Sequence, residues 1–357
     1  MNIDRDTSLR MRGAAIFMIF LHNLFHMTSK AKECEFLFVG KRVTAFLDHF
    51  TLSSPSCIED VFSFFGWYGV PVFMFLSGYG LTCKHELAGK KVKPIPYLCR
   101  NYVKLFLLMA PCFIAYLVIK AKTMSVPLII TQFAMVSNLF YPLDISPGVY
   151  WYFGLTLQFY VIYLLFYYCR KNYFVYAFML VALVAGVYFA MYHPDYLHAK
   201  IRHNSLLWLP VFLAGILCAR MNVERLMDFF ERHWIWCVPI LLAIWIYSCF
   251  NVYLWTLSPV VVLLLFLVLG KRLGHAGECK FPLLRPIGIW FSKGLIYLGT
   301  ISAGLFVVHP FFRIFALNAI GGGYSKWMVV PCYILVCIIG AAIYQKVYQL
   351  VIKRVLK

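Results

Sequence analysis

WIWCVPILLAIWIYSCFNVYLWTLSPVVVLLLFLVLG, residues Trp234 to Gly270, contains no Asp, Glu, Lys or Arg. As a single helix it would be about 55 Å long at 1.5 Å per residue, far more than the ~30 Å hydrocarbon core of a bilayer. The polar residues between Ser248 and Asn251 divide it into two spans, 234–250 and 252–270. The same criterion, roughly 20 mostly apolar residues per crossing, places further spans near 11–29, 61–83, 101–121, 147–169, 173–192, 204–219, 294–316 and 327–350. The expected fold is therefore all-α, a polytopic transmembrane bundle of ten spans in one domain over residues 1–357. The segment Val126–Tyr141 is apolar but short and runs into Pro142, so it reads as an interfacial or re-entrant piece. Gly321-Gly322-Gly323 reads as the turn between the last two spans.

Composition supports the membrane class. The chain is 62% hydrophobic, 18% aromatic and 13% charged, with a mean hydropathy of +0.78. Soluble domains carry about twice that share of charge. A net charge of +19 would suggest nucleic acid in a soluble protein. Here most of the 33 basic residues gather in alternate loops, among them Arg5, Arg10 and Arg12, the Lys84–Lys104 stretch, Arg170 and Lys171, Lys271 and Arg272, and Lys353 and Arg354. That asymmetry follows the positive-inside rule, puts both termini in the cytoplasm and argues against a nucleic-acid partner. The first apolar run continues into Met27-Thr28-Ser29-Lys30 with no small-residue cleavage site, so it reads as a retained span. The 12 cysteines form no C-x-x-C and no metal-like spacing with histidine. Cys34 and Cys57 share one polar loop, where a disulfide is conceivable on an oxidising side.

All 14 Asp and Glu fall in expected loops or tails. Proton-coupled carriers build relays from intramembrane carboxylates, so their absence counts against a transporter. Histidine is left as the side chain inside the bilayer that titrates near neutrality. The candidates are His22 and His26 in the first span and His309 in the ninth. His22 lies about 15 Å of helix rise beyond Arg12. His26 is four residues further on and shares its face. A neutral imidazole there takes a proton from a hydroxyl and returns it, the general acid–base role, although a hydrogen-bonded core histidine has the same sequence. Gly69, Gly78 and Gly80, with Ser77, are small residues that permit close helix approach. Arg100 and Lys104, with Lys90, Lys91 and Lys93, form a basic patch that suits lipid headgroups or the phosphates of a nucleotide-bearing donor.

These stretches together resemble the integral-membrane acyltransferase 3 family, O-acyltransferases of bacterial surface glycans and some small molecules. Arg12-Gly13-Ala14-Ala15 leading to His22 resembles the family's first-helix arginine–histidine motif. Gly69 to Tyr79 resembles its second helix, Arg100 to Lys104 the basic motif before its third, Tyr150 to Tyr160 its tryptophan-led fourth, and Ser302 to Pro310 its late histidine–proline helix. The family's spacing, counted from Arg12, reaches Asn23; His22 comes one residue earlier, about 100° around the helix. The resemblance implies an inner-membrane enzyme that moves an acyl group, with acetyl the expected one, from cytoplasmic acyl-CoA (acetyl-CoA) to a hydroxyl of a carbohydrate or lipid-linked glycan, without a metal. It implies His22 as base with His26 in reserve, His309 as a further catalytic candidate, and Arg10, Arg12, Arg100 and Lys104 around the donor's phosphates. A carrier or flippase for a polar lipid-linked glycan is the alternative, disfavoured by the missing intramembrane carboxylates and the lack of an internal repeat.

Overall fold

The computed structural model describes residues 3–34, 38–52, 54, 56–120, 124–221, 224–278 and 284–356, and among them every regular element is helical. In chain order these are α1 (Arg5–Thr28), α2 (Gly40–His49), α3 (Cys57–Phe65), α4 (Gly69–Thr82), α5 (Pro94–Lys120), α6 (Val126–Phe133), α7 (Ser137–Phe140), α8 (Trp151–Tyr168) and α9 (Asn172–Tyr192). They continue with α10 (Pro194–Tyr196), α11 (Ser205–Arg220), α12 (Glu224–Arg232), α13 (Trp234–Phe250), α14 (Ser258–Arg272), α15 (Leu284–Thr300), α16 (Ser302–Gly321) and α17 (Lys326–Val355). Glu35, Lys280 and Lys357, counted among the loop and tail charges, lie outside the described residues.

Seven helical stretches among the described residues are long and apolar enough to cross a membrane: Cys57–Leu87, Pro94–Ile119, Gly148–Tyr168, Asn172–Tyr192, Trp255–Glu278, Ser302–Gly321 and Lys326–Val355. The pair Pro194–Ile201 and Ser205–Arg220, bent by 73°, makes an eighth if it forms one span. Three of the ten expected spans, α1, α11 and α13, do not qualify alone, α11 only as part of the bent pair, and a fourth, 294–316, is shifted. In α1 the apolar run is diluted by His22, Asn23 and His26. The helix α13 is apolar but short. The expected span 294–316 is broken at Ile301 into α15 and α16, so the loop expected before it is largely helix. The division of the long charge-free stretch falls where expected, α13 ending at Phe250. Val126–Tyr141 forms the two short helices α6 and α7 rather than a span, and Gly323 turns the chain between α16 and α17 with φ +90°.

The helices group into two compact units. The first comprises Met1–Cys83 and Val211–Ser302. Within it α1 is the hub, packed against α3, α4, α14 and α15. Its start is capped by Asp4, whose carboxylate accepts from Thr7 N at 2.8 Å and Thr7 Oγ1 at 2.6 Å. Glycines set the close crossings. A Cβ at Gly13 would stand 1.9 Å from the Leu295 carbonyl oxygen, and one at Gly299 would stand 2.1 Å from that of Leu9, so α1 and α15 each offer a glycine to the other's backbone. Gly78 and Gly215 do the same for α4 and α11, against the carbonyl oxygens of Phe212 and Phe75 at 2.1 Å each. The second unit comprises Lys84–Pro210 and Ala303–Lys357. There α5 packs with α8 and α17, and tyrosine hydroxyls tie helices to backbone carbonyls: Tyr150 to Val307 at 3.1 Å, Tyr344 to Leu108 at 2.7 Å and Tyr348 to Lys104 at 3.1 Å.

Candidate active site

The second half of α1 puts His22 and His26 on one face, their ring centroids 5.5 Å apart. His22 is buried. Its Nδ1 lies 3.1 Å from the Ser63 carbonyl oxygen and 3.3 Å from that of Phe62, both on the last turn of α3. A carbonyl only accepts, so Nδ1 carries the proton and Nε2 of the neutral ring keeps its lone pair. Gly66, just after α3, makes this contact sterically feasible. A Cβ there would meet His22 Cβ at 2.6 Å and the Met18 carbonyl oxygen at 2.8 Å. Asn23, where the family spacing falls, turns its amide back to the Ile19 carbonyl oxygen at 2.8 Å, the i−4 position of its own helix.

Glu33 completes the cluster. The residue is 4% exposed, and its Oε2 lies 2.6 Å from His26 Nδ1. The loop that carries it is anchored at several points. Ser29 Oγ donates to Asp60 Oδ1 at 2.7 Å, Ala31 N donates to Ser29 Oγ at 2.8 Å, and Ser63 Oγ donates to the Ala31 carbonyl oxygen. Arg42 from α2 donates to the Glu33 carbonyl oxygen at 2.6 Å. Burial by itself raises the Glu33 carboxyl, but the hydrogen bond from His26 and the charges of His22 and His26 outweigh it and hold the group well below the usual carboxylate range. Two imidazoles and a carboxylate, with donor atoms within 4.8 Å of one another, are also a donor set that zinc accepts. Here the carboxylate is engaged directly with the His26 ring.

Sequence reasoning treated every carboxylate as loop charge, and this is corrected for three of them: Glu33, Glu59 and Asp60 are buried. The two on α3 stitch that helix to the end of α1, Glu59 accepting from Thr28 Oγ1 and Asp60 from Ser29 Oγ. The one hint in the sequence that Glu33 belongs to the site is its place seven residues after His26, on the loop that leaves the same helix end. Cysteine–histidine spacing carries no trace of a cluster whose third member is a carboxylate.

The other candidates occupy different surroundings. Arg10 is buried, its Nε donating to Ser292 Oγ at 2.9 Å and its Nη1 to the Gly270 carbonyl oxygen at 3.1 Å, which binds α1 to α14 and α15. Arg12 is half-buried on the same helix. In the second unit Lys84, Lys90, Arg100 and Lys104 cluster closely enough to repel one another, and the His85 ring beside them lies 5.4 Å from Tyr97 and 6.1 Å from Tyr163. His309, also in the second unit, is fully buried, with Nδ1 3.0 Å from the Leu305 carbonyl oxygen and, among the described residues, no hydrogen-bond partner at Nε2. Ser77 Oγ is spent on the Phe73 carbonyl oxygen of its own helix at 2.8 Å. Cys34 and Cys57 are free thiols.

A family model described as an acyltransferase domain, acyltransferase 3, matches residues 10–346. No curated protein and no solved structure matches the chain.

Proposed function

The chain belongs to the acyltransferase 3 family, and we propose that it is a membrane O-acyltransferase that transfers an acetyl group from acetyl-CoA to a hydroxyl of a carbohydrate or lipid-linked glycan. The observation that carries this reading is the His22 ring, fixed at Nδ1 by two backbone carbonyls and so offering Nε2 as a base. His22 takes the proton of the acceptor hydroxyl as that oxygen attacks the thioester carbon. The carbon–sulfur bond breaks, and the proton passes from His22 to the departing thiolate. The donor approaches from the cytoplasm of a bacterial cell, with both chain termini on that side of the inner membrane. Arg100 and Lys104, helped by Lys84 and Lys90, supply the positive charge that the CoA phosphates require, the guanidinium as a two-pronged donor and the ammonium groups as point charges. Arg10, whose donors are occupied by α14 and α15, acts by holding α1 in register.

The test is to supply labelled acetyl-CoA to membranes containing the protein, follow CoA thiol release, and weigh the cell's surface glycans for the roughly 42 Da gain of an acetyl group. Wild-type membranes are expected to release CoA and label glycan. His22→Ala is expected to abolish both while the purified protein keeps its thermal midpoint. Full activity in His22→Ala with loss in His26→Ala would move the base one turn along α1. No CoA release with any acyl-CoA and any glycan acceptor would remove the reading.

A further inference from the structure

The histidine pair is asymmetric. His22 is held by backbone, through the carbonyl oxygens of Phe62 and Ser63. His26 is held by a side chain, Glu33, at 2.6 Å. Both contacts are made at Nδ1, so both rings present Nε2 elsewhere, and their centroids are 5.5 Å apart. The mode of anchoring differs in consequence. A backbone carbonyl cannot be lost by a side-chain substitution, whereas the orientation and tautomer of His26 depend on one carboxylate.

Glu33 is also an unusual residue to bury in so apolar a chain. A carboxylate in that setting costs several kcal/mol unless paired and hydrogen-bonded. The chain invests a whole loop in placing it. Ser29, Ala31 and Ser63 fix the loop against the end of α3, and Arg42 clamps the Glu33 carbonyl oxygen from α2. The groups facing the carboxylate are His22 and His26 from α1, with Lys32, Cys34 and Arg42 nearby.

On the proposed acyl transfer, and resting on that reading, we propose that Glu33 is a positioning residue of the reaction: it accepts the Nδ1 proton of His26, fixes the tautomer that turns Nε2 of His26 towards the reacting groups beside His22, and so makes the two imidazoles one base centre. Glu33 touches neither substrate and acts through His26. The proton itinerary is unchanged in balance: the hydroxyl proton leaves the acceptor to an imidazole Nε2 and returns to the CoA sulfur, while the Nδ1 proton shared with Glu33 stays where it is. A carboxylate in this role holds the ring; it does not take the proton.

The test combines a structural readout with a kinetic one on the full chain in detergent or nanodiscs. Nitrogen-15 spectra of histidine-labelled protein report the His26 tautomer whether or not the reaction proceeds. The Nδ1–H form is expected in wild type and in Glu33→Asp, and is expected to be lost or mixed in Glu33→Gln. In the acetyl-CoA assay, Glu33→Gln is expected to lower kcat by roughly 10²-fold or more, with KM for acetyl-CoA and for the acceptor within a few-fold of wild type. Glu33→Asp should recover most of the loss. A purely structural carboxylate would lower the thermal midpoint of both variants and leave kcat per folded molecule unchanged; that result overturns the proposal while the acyltransferase reading stands. Unchanged His26 nitrogen signals in Glu33→Gln overturn it as well. Stoichiometric zinc in purified wild type, absent from Glu33→Gln, would also overturn it by making the cluster a metal centre. An inert wild type removes the acyltransferase reading and this proposal with it, and its inactivity separates that outcome from the others.

Discussion

At the scale of single residues, the site rests on which ring nitrogen each contact occupies. His22 and His26 both spend Nδ1, one on the Ser63 and Phe62 carbonyl oxygens and the other on Glu33. A buried carboxylate hydrogen-bonded in this way leaves a signature in stability. The Glu33 carboxyl titrates below its ordinary 4.5 in the folded protein. A group with a lowered folded value binds its proton more tightly in the unfolded chain, so its stabilisation is complete above about 4.5 and is lost as the pH falls from there towards its folded value. The thermal midpoint of purified wild type is therefore expected to drop more steeply below pH 4.5 than that of Glu33→Gln, which lacks the titrating group. Parallel curves for the two proteins would count against the buried pair. The histidines could be singled out from the sequence because intramembrane titratable groups are costly wherever they sit. Glu33 could not, because a loop carboxylate is ordinarily solvated and nothing local says that this loop folds inward.

At the scale of elements, α1 is held in register by glycine crossings and by its polar groups together. Gly13 and Gly299 admit the carbonyl oxygens of Leu295 and Leu9, and the Arg10 contacts to Ser292 and Gly270 lie in the same interface. A side chain at Gly13 forces α1 and α15 apart. Gly13→Val is expected to destabilise the protein by roughly 1–3 kcal/mol or more and to lower acyl transfer, since α1 carries both histidines. Gly80→Ala, at a position with open space around its Cβ, should leave both unchanged. Thermal unfolding in detergent beside the CoA-release assay separates the two cases. The small-residue pattern of α4 was legible in the sequence as packing: Gly69 and Gly78 do pack, against the carbonyl oxygens of Ala15 and Phe212, whereas Gly80, expected to do the same, faces open space. The break at Ile301 was not legible. The run 294–316 carries one charged residue, Arg313, and no proline or glycine pair marks the point where α15 gives way to α16.

At the scale of the whole molecule, charge distribution is the property with functional reach. The basic cluster Lys84, Lys90, Arg100 and Lys104 belongs to the second unit, and the histidine pair to the first. If the cluster receives the donor's phosphates, its loss weakens donor binding without touching the chemistry. Arg100→Gln and Lys104→Gln are each expected to raise KM for acetyl-CoA several-fold with kcat little changed, and to leave acetyl-pantetheine, which lacks the nucleotide phosphates, unaffected. Equal effects on both donors would assign the cluster to lipid headgroups. Membrane topology is testable at the same scale: reporters fused to each terminus are expected to be active in the cytoplasm, and a C-terminal reporter exported instead would make the span count odd.

The sequence by itself determined the membrane class, because 62% hydrophobic content with 13% charge leaves no soluble alternative and backbone polar groups in a bilayer must be satisfied within helices. It also determined the family, whose motifs lie in order along the chain, and the candidate histidines, since an imidazole in an apolar helix is conspicuous without a structure. Those are properties of composition and local spacing. The tertiary structure alone decided that the helix carrying the histidines is the hub of its unit, that Asn23 faces its own backbone while His22 meets α3, that Arg10 binds neighbouring helices, and that Glu33 reaches His26. Each of these depends on contacts made by segments remote in the chain or by a loop with no periodicity. No local pattern encodes such contacts; they exist only once the helices have packed.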